Sequence, residues 1–154
     1  MPKRTVRVIV LLIAIPIVLC LCIQLIPVWL AQNNPPVLAE PRWDSPQTRA
    51  LAKRACFDCH SNETYWPWYS NVAPVSWLVQ RDVDEGRRHL NFSEWGAGRH
   101  EVGEVGETIR EGEMPPPYYV LIQSRAKLSV QERDALVNGL LASIGASGIE
   151  GESD

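Results

Sequence analysis

The sequence predicts an all-α protein, in which one N-terminal transmembrane helix precedes a small helical domain. Three observations lead to this prediction. Residues 8–30 contain no charged side chain. Apolar residues recur at helical spacing in most later segments. A capping-box pattern, Ser129-Val130-Gln131-Glu132, begins the last of these segments. The only short strand-like run is residues 118–122, and no internal repeat competes with the helical prediction.

The uncharged run at residues 8–30 is long enough to cross a membrane. Its 23 residues can span the hydrocarbon core with some tilt. Three basic residues precede it (Lys3, Arg4 and Arg7), and the first charge after it is Glu40. The positive-inside rule therefore places residues 1–7 in the cytoplasm and everything after the span outside. We expect a single-pass protein of the cytoplasmic (inner) membrane with a periplasmic or extracytoplasmic domain.

A cleavable signal peptide is the alternative interpretation of the same run. Signal peptides have a shorter apolar region and small residues before the cleavage site. A cut after Ala31 would place Trp29 three residues before it, which fits that pattern poorly. The prediction is therefore an uncleaved anchor.

The charges are divided unevenly by the predicted span. Outside it remain 12 Lys and Arg against 18 Asp and Glu. An acidic exported domain argues against binding to nucleic acid or to anionic lipid surfaces, and it is compatible with docking to a basic partner.

Beyond the span the sequence predicts a Pro-rich linker at residues 31–44, which would act as a semi-rigid tether. A folded domain at residues 45–144 and a flexible tail at residues 145–154 follow. Ser45-Pro46 is a helix-start signal for a helix that runs directly into residues 56–60. Further helices are expected at about residues 74–89, 100–111 and 129–144.

Residues 56–60 read C-F-D-C-H, which is a C-x-x-C-H sequence. On one helical turn Cys56, Cys59 and His60 share a face, so both sulfurs can reach one edge of a porphyrin while the imidazole binds its iron. The prediction is one covalently bound haem c, with thioethers at Cys56 and Cys59 and His60 as proximal iron ligand. A redox dithiol, a zinc half-site and a chance match are the alternatives.

Aromatic residues follow this motif closely, from Tyr65 to Tyr69. We expect them to pack partly in the core and partly against the porphyrin. A proline carbonyl, from Pro67 or Pro74, is expected to accept the second imidazole proton of His60.

Met114 lies in a Gly-Glu-Met-Pro-Pro-Pro turn, 54 residues after His60. Apart from Met1 it is the only methionine. A thioether held by a rigid proline frame is suited to binding iron, so Met114 is the predicted distal ligand. His89 and His100 are the competing ligands, and a gap-filling core methionine is the plain alternative.

Together these segments resemble the bacterial haem-binding domain family of cytochrome-c-like proteins, over residues 45–141. The residues that carry the resemblance are C-F-D-C-H-S-N-E-T (56–64), W-P-W-Y-S (66–70), V-A-P-V-S-W (72–77), D-V (82–83), E-G-R (85–87), L-N-F-S-E-W (90–95), M-P-P (114–116), Tyr119 and A-K-L-S (126–129). It implies a helical domain around covalent haem c with His60 proximal and, less firmly, Met114 distal. Gln123-Ser124 departs from the His-Pro expected in relatives.

The predicted function is that of a membrane-anchored monohaem c-type cytochrome, a one-electron carrier that is not itself an enzyme. Its partner would be another redox protein. One alternative is a five-coordinate haem sensor or peroxidase-like accessory domain. A thiol–disulfide redox module at Cys56 and Cys59 is disfavoured, because no strand–helix alternation surrounds the motif.

Overall fold

The computed structural model describes residues 2–25, 32–96 and 102–148, and it is mostly helical, at 67%. Within these residues no β-strand is present. The pairing of extended chain that occurs there is an isolated parallel bridge between Ala39 and Glu94. The predicted all-α class is confirmed.

The helices follow in chain order, with short 3₁₀ helices labelled η. They are α1 (Lys3–Gln24), α2 (Pro46–Ala55), α3 (Phe57–His60), η1 (Trp68–Asn71), α4 (Val75–His89), α5 (Val102–Glu111), α6 (Pro117–Ile122), η2 (Ser124–Ala126) and α7 (Val130–Gly148).

The chain forms two compact units. The first combines Met1–Gln32 with Trp66–Arg81, and the second combines Asn33–Tyr65 with Asp82–Asp154. The boundary falls inside α4, after Arg81.

In the first unit, α1 is apolar, 22 residues long and exposed along its length, and it meets the requirements for a membrane span. It begins at Lys3, five residues before the predicted span. Residues 26–30 of that prediction lie outside the described residues. Pro16 lies within the helix, as transmembrane helices tolerate.

The second unit buries a core of apolar side chains from α2, α3, α5 and α7 and from the chain after α4. The core consists of Leu51, Ala52, Ala55, Phe57, Leu90, Phe92, Ile109, Leu128, Leu136, Val137 and Leu140. The rings of Phe57 and Phe92 stack at a centroid distance of 5.5 Å. Trp43 adds a third ring, 5.3 Å from Phe92.

Helices α2 and α7 approach so closely that Gly139 has no room for a side chain. A Cβ atom there would lie 2.1 Å from the Thr48 hydroxyl oxygen. The start of α2 is capped as predicted, since the Ser45 hydroxyl accepts the Thr48 N–H at 3.1 Å. The capping box of α7 also forms. Glu132 N–H donates to the Ser129 hydroxyl, and Ser129 N–H donates to the Glu132 carboxylate.

Several predicted features differ from the structure. Residues 118–122 are helical within α6 rather than strand-like, because Pro117 begins a helical turn there. The first helix of the domain does not continue unbroken into the C-x-x-C-H sequence, since Cys56 separates α2 from α3. Helix α7 extends to Gly148, past the predicted start of the tail.

The segment predicted as a free tether is bound to the second unit from Asn33 onward. It is extended, as its prolines predict. However, Leu38 N–H donates to the Ser93 carbonyl at 2.8 Å, and Trp95 N–H donates to the Ala39 carbonyl at 3.0 Å. Glu40 forms a bidentate ion pair with Arg49 of α2. The Arg49 Nη2 and Nε groups donate to the two carboxylate oxygens at 2.6 and 2.7 Å. Residues 33–44 are therefore part of the folded unit rather than a spacer.

Candidate haem site

The C-x-x-C-H residues form one tight turn that begins at Cys56. The Cys56 carbonyl accepts the N–H groups of Cys59 (3.1 Å) and His60 (2.9 Å), which closes the turn. Both cysteines are free thiols and half-buried. Helix α4 lies directly against this turn at Gly86, where a Cβ atom would come within 2.5 Å of the Cys59 carbonyl oxygen.

The ring of His60 is oriented by a main-chain carbonyl. Its Nδ1 lies 3.0 Å from the Leu90 carbonyl oxygen. A carbonyl can only accept, so Nδ1 carries the proton and donates it, which leaves Nε2 unprotonated in the neutral ring. Burial lowers the pKa of His60, against the opposing effect of the hydrogen bond to Leu90, and this favours the neutral ring.

The predicted partner of His60, a carbonyl of Pro67 or Pro74, is therefore wrong. The chain after α4 turns back over α3, so that Leu90 lies beside His60, and Phe92 N–H donates to the His60 carbonyl at 2.8 Å. Any residue type could supply that main-chain oxygen, so no side-chain pattern could have identified it.

A cavity of about 400 Å³ adjoins this turn in the second unit. Cys56, Cys59, His60 and Met114 all line it, so the structure brings together the four residues predicted to bind haem. Its apolar lining comes from α5, α7 and the chain around them, and includes Val105, Ile109, Leu140, Pro115 and Pro116. The volume is within the range of ligand pockets.

The aromatic side chains that line the cavity in the second unit are Phe92, Tyr118 and Tyr119. In the run predicted to pack partly against the porphyrin, Tyr65 and Trp68 are exposed. Residues 66–69 of that run belong to the first unit, so its packing against the porphyrin stays a prediction.

Met114 follows α5 directly and is 41% exposed, so it is not a gap-filling core residue. Its N–H and that of Glu113 both donate to the Thr108 carbonyl, which turns the chain at the end of α5. Of the competing ligands, His89 is exposed on α4 and also lines the cavity. His100 lies outside the described residues.

Asp58, between the two cysteines, forms hydrogen bonds with residues that follow Met114 in the chain. These bonds connect that segment to the C-x-x-C-H turn. The Asp58 carboxylate accepts hydrogen bonds from the Tyr119 hydroxyl and from Arg125, both at 2.5 Å. It also accepts the Tyr65 N–H at 3.2 Å. Burial, followed by the bond to Asp58, raises the pKa of Tyr119 and keeps the phenol protonated. No sequence pattern predicts these roles of Tyr119 and Arg125. Asp58, an acidic residue inside the C-x-x-C-H sequence, is the one feature that indicates a hydrogen-bonding or ionic partner at this position.

The two thiols are held in their protonated form. Burial raises the pKa of Cys56 to about 12, and burial together with Asp82 and Asp58 raises the pKa of Cys59 to about 12. Thiol–disulfide enzymes depend on a lowered thiol pKa, so this environment opposes the redox-dithiol interpretation. In the described part of the chain, no group of three or more His, Cys, Asp or Glu side chains is arranged to hold a metal ion.

The residues present fit a haem group. Two thiols and an imidazole from one turn share a largely apolar cavity with a thioether, and these are the donors that covalent haem attachment and iron ligation use.

Comparison with known proteins agrees with this geometry. A family model described as a haem-binding domain matches residues 18–142. No curated protein and no solved structure gave a match.

Proposed function

The chain belongs to the haem-binding domain family, and from this premise we propose that it is a membrane-anchored c-type cytochrome that carries single electrons outside the cytoplasmic membrane. The observation that carries the proposal is the placement of Cys56, Cys59, His60 and Met114 around one cavity. The matched family supports haem as the cofactor, and α1 supports attachment to a membrane.

In this proposal Cys56 and Cys59 hold haem c through two thioether bonds, and His60 binds the iron through Nε2. The Leu90 carbonyl keeps the proton on Nδ1, so Nε2 presents its lone pair without first losing a proton. Met114, which lines the same cavity, would be the second protein ligand of the iron. When bound, haem supplies a one-electron couple, whose potential a Met ligand raises. Because His60 and Met114 would both bind the iron, a substrate would find no open position there, and the domain would carry electrons rather than catalyse a reaction.

The side of the membrane is inferred from charge. Lys3, Arg4 and Arg7 precede the apolar run, which favours a cytoplasmic N-terminus and an exported haem domain. The acidic side chains that line the cavity are Asp58, Asp82, Glu85 and Glu104. They favour a basic redox partner, since complementary charge speeds association and orients the encounter.

Covalent attachment is tested with the full-length protein, expressed with haem-maturation machinery. The wild type should give a haem-stained band that survives denaturing electrophoresis, with no free thiol at residues 56 and 59. The Cys56→Ala, Cys59→Ala double variant should lose the band. A Cys20→Ser, Cys22→Ser variant is the matched control and should keep it. A matured wild-type protein with a mass that lacks haem would overturn the proposal.

The sixth ligand is tested by carbon monoxide binding to the reduced protein. If Met114 ligates, Met114→Ala should bind carbon monoxide at least tenfold faster than the wild type and shift the resting spectrum. His89→Ala, which changes another residue of the cavity lining, should do neither. Equal rates and an unchanged spectrum for Met114→Ala would exclude Met114 as a ligand, and rapid carbon monoxide binding by the wild type as well would support a five-coordinate haem sensor.

A further inference from the structure

In the first compact unit, an aromatic segment, residues 66–78, is hydrogen-bonded to the end of α1 and to Gln32. The side-chain amide of Gln24 pairs with both main-chain polar groups of Ala73. Its Nε2 donates to the Ala73 carbonyl at 2.9 Å, and its Oε1 accepts the Ala73 N–H at 3.0 Å. The Gln32 amide donates to the Ser70 carbonyl at 2.5 Å. These hydrogen bonds hold the aromatic segment beside Gln24, at the C-terminal end of α1.

Gln24 is the last residue of α1, six residues before the end of the predicted span at residue 30. From Arg7, the last basic residue before the apolar run, 17 residues of helix rise about 26 Å to Gln24. The hydrocarbon core of a bilayer is about 30 Å thick. With Arg7 at the cytoplasmic boundary, Gln24 and the segment bonded to it lie within about 4 Å of the opposite boundary.

The composition of this segment is that of an interfacial element rather than of a solvated loop. No charged residue occurs between Glu63 and Arg81. Four large apolar side chains of residues 66–78 are nevertheless exposed, namely Trp68 (77%), Val72 (39%), Val75 (39%) and Leu78 (43%). Tryptophan is enriched at membrane–water boundaries, where one edge of its ring is apolar and the N–H can bond to water or headgroups.

We propose that residues 66–78 rest in the headgroup region of the outer leaflet, with Trp68 inserted as the anchor, so that the protein contacts the membrane surface at a second place besides its span. The occupant of this apolar face is lipid, because the segment that carries it is hydrogen-bonded to the end of α1, the helix that the proposed function places in the membrane. The inference rests on the membrane span of the proposed function.

The experiment measures local polarity with nitroxide labels on the full-length, haem-loaded protein. The protein is placed in vesicles of phosphatidylethanolamine and phosphatidylglycerol, in a Cys20→Ser, Cys22→Ser background. Single labels are attached at Trp68→Cys, at Val72→Cys (which retains Trp68), at Leu12→Cys in α1 and at Asp134→Cys on α7. Collision with oxygen, which concentrates in lipid, is compared with collision with a water-soluble nickel chelate.

We expect Leu12 to give the highest oxygen-to-nickel ratio, and Trp68 and Val72 ratios severalfold above that of the exposed, charged site Asp134. Ratios at Trp68 and Val72 equal to that at Asp134, with a lipid-like ratio at Leu12, would overturn the inference and leave the span intact. A water-like ratio at Leu12 would overturn the span as well. Low collision with both reagents at Trp68 and Val72 would mean that protein covers the face, which also overturns the inference.

Discussion

At the scale of single residues, two groups near the cavity have roles that depend on long-range contacts. Leu90 lies 30 residues from His60, and Arg125 lies 67 residues from Asp58. The short-range C-x-x-C-H spacing therefore predicts which residues meet the haem, because one helical turn decides it. It does not predict what orients them, because that depends on which distant segments pack over the turn.

The Tyr119–Asp58 hydrogen bond gives the first prediction. Tyr119→Phe removes a partly buried bond to a carboxylate and should lower the free energy of unfolding of the haem-loaded protein by about 1–3 kcal/mol. Tyr118→Phe is the matched control, because its hydroxyl donates to Asp82 at an exposed site. It should change stability by less than about 0.5 kcal/mol. Denaturant titration followed by circular dichroism measures both, and equal losses would refute the assigned role of Tyr119.

At the scale of elements, the sequence correctly predicts the helix starts at which the capping hydrogen bond joins residues only three positions apart. Ser45-Pro46 and the Ser129–Glu132 box both form as read from the sequence. The prediction failed where tertiary contacts decided the outcome. Residues 33–44 have the composition of a free linker, yet hydrogen bonds to residues 93 and 95 hold them in place. Residues 118–122 have strand-forming side chains, yet they continue a turn that Pro117 begins.

The contact between α2 and α7 gives the second prediction. Gly139→Ala would force a methyl group against the Thr48 hydroxyl and should destabilise the protein by about 1–3 kcal/mol, although alanine is intrinsically the better helix former. Gly106→Ala on α5 is the comparison, since its Cβ would lie 3.3 Å from a Val137 methyl group, a tight contact that a small side-chain shift relieves, and it should cost less than Gly139→Ala. Adding Thr48→Ala to Gly139→Ala should recover part of the loss. A thermal melt in which Gly139→Ala matches the wild type would contradict the close helix contact.

The Glu40–Arg49 pair gives a prediction about pH. The hydrogen bond to Arg49, partly opposed by burial, holds the pKa of Glu40 below its ordinary value of 4.5. Its carboxylate therefore stabilises the folded protein fully above pH 4.5, and this contribution is lost as pH falls through the lowered pKa. Glu40→Gln should cost about 1 kcal/mol at pH 7.

The cost of Glu40→Gln should shrink steadily once the pH drops below 4.5. Unfolding titrations across this range, with the exposed Glu107→Gln as control, measure the difference. A cost that does not change with pH would show that charge is not what binds residues 33–44 to α2.

At the scale of the whole molecule, the second unit builds its core around a cavity of about 400 Å³. At about 24 cal/mol per Å³, leaving a closed cavity of that size empty would cost roughly 10 kcal/mol. The true cost is lower because this cavity is partly open. Even so, the figure is comparable with the entire stability of a small domain, about 5–15 kcal/mol. We therefore expect the haem group to be a major part of the interior.

It follows that the protein without haem should be poorly ordered. The Cys56→Ala, Cys59→Ala variant, or wild type made without maturation machinery, should keep helical far-ultraviolet circular dichroism but lose near-ultraviolet signal and cooperative melting. The haem-loaded wild type is the reference. A sharp, native-like melt of the haem-free protein would show that the other contacts of the second unit suffice to fold it.

The partner of His60 has a consequence for engineering. Because the acceptor is the peptide oxygen of Leu90, every amino acid installed at position 90 brings the same atom with it. Ordinary mutagenesis therefore cannot delete this bond; an attempt to retune the imidazole must replace the amide between residues 90 and 91 by an ester, which weakens the oxygen as an acceptor. The side chains around Met114 are open to genetic variation, so selection can adjust the cavity from that side far more readily.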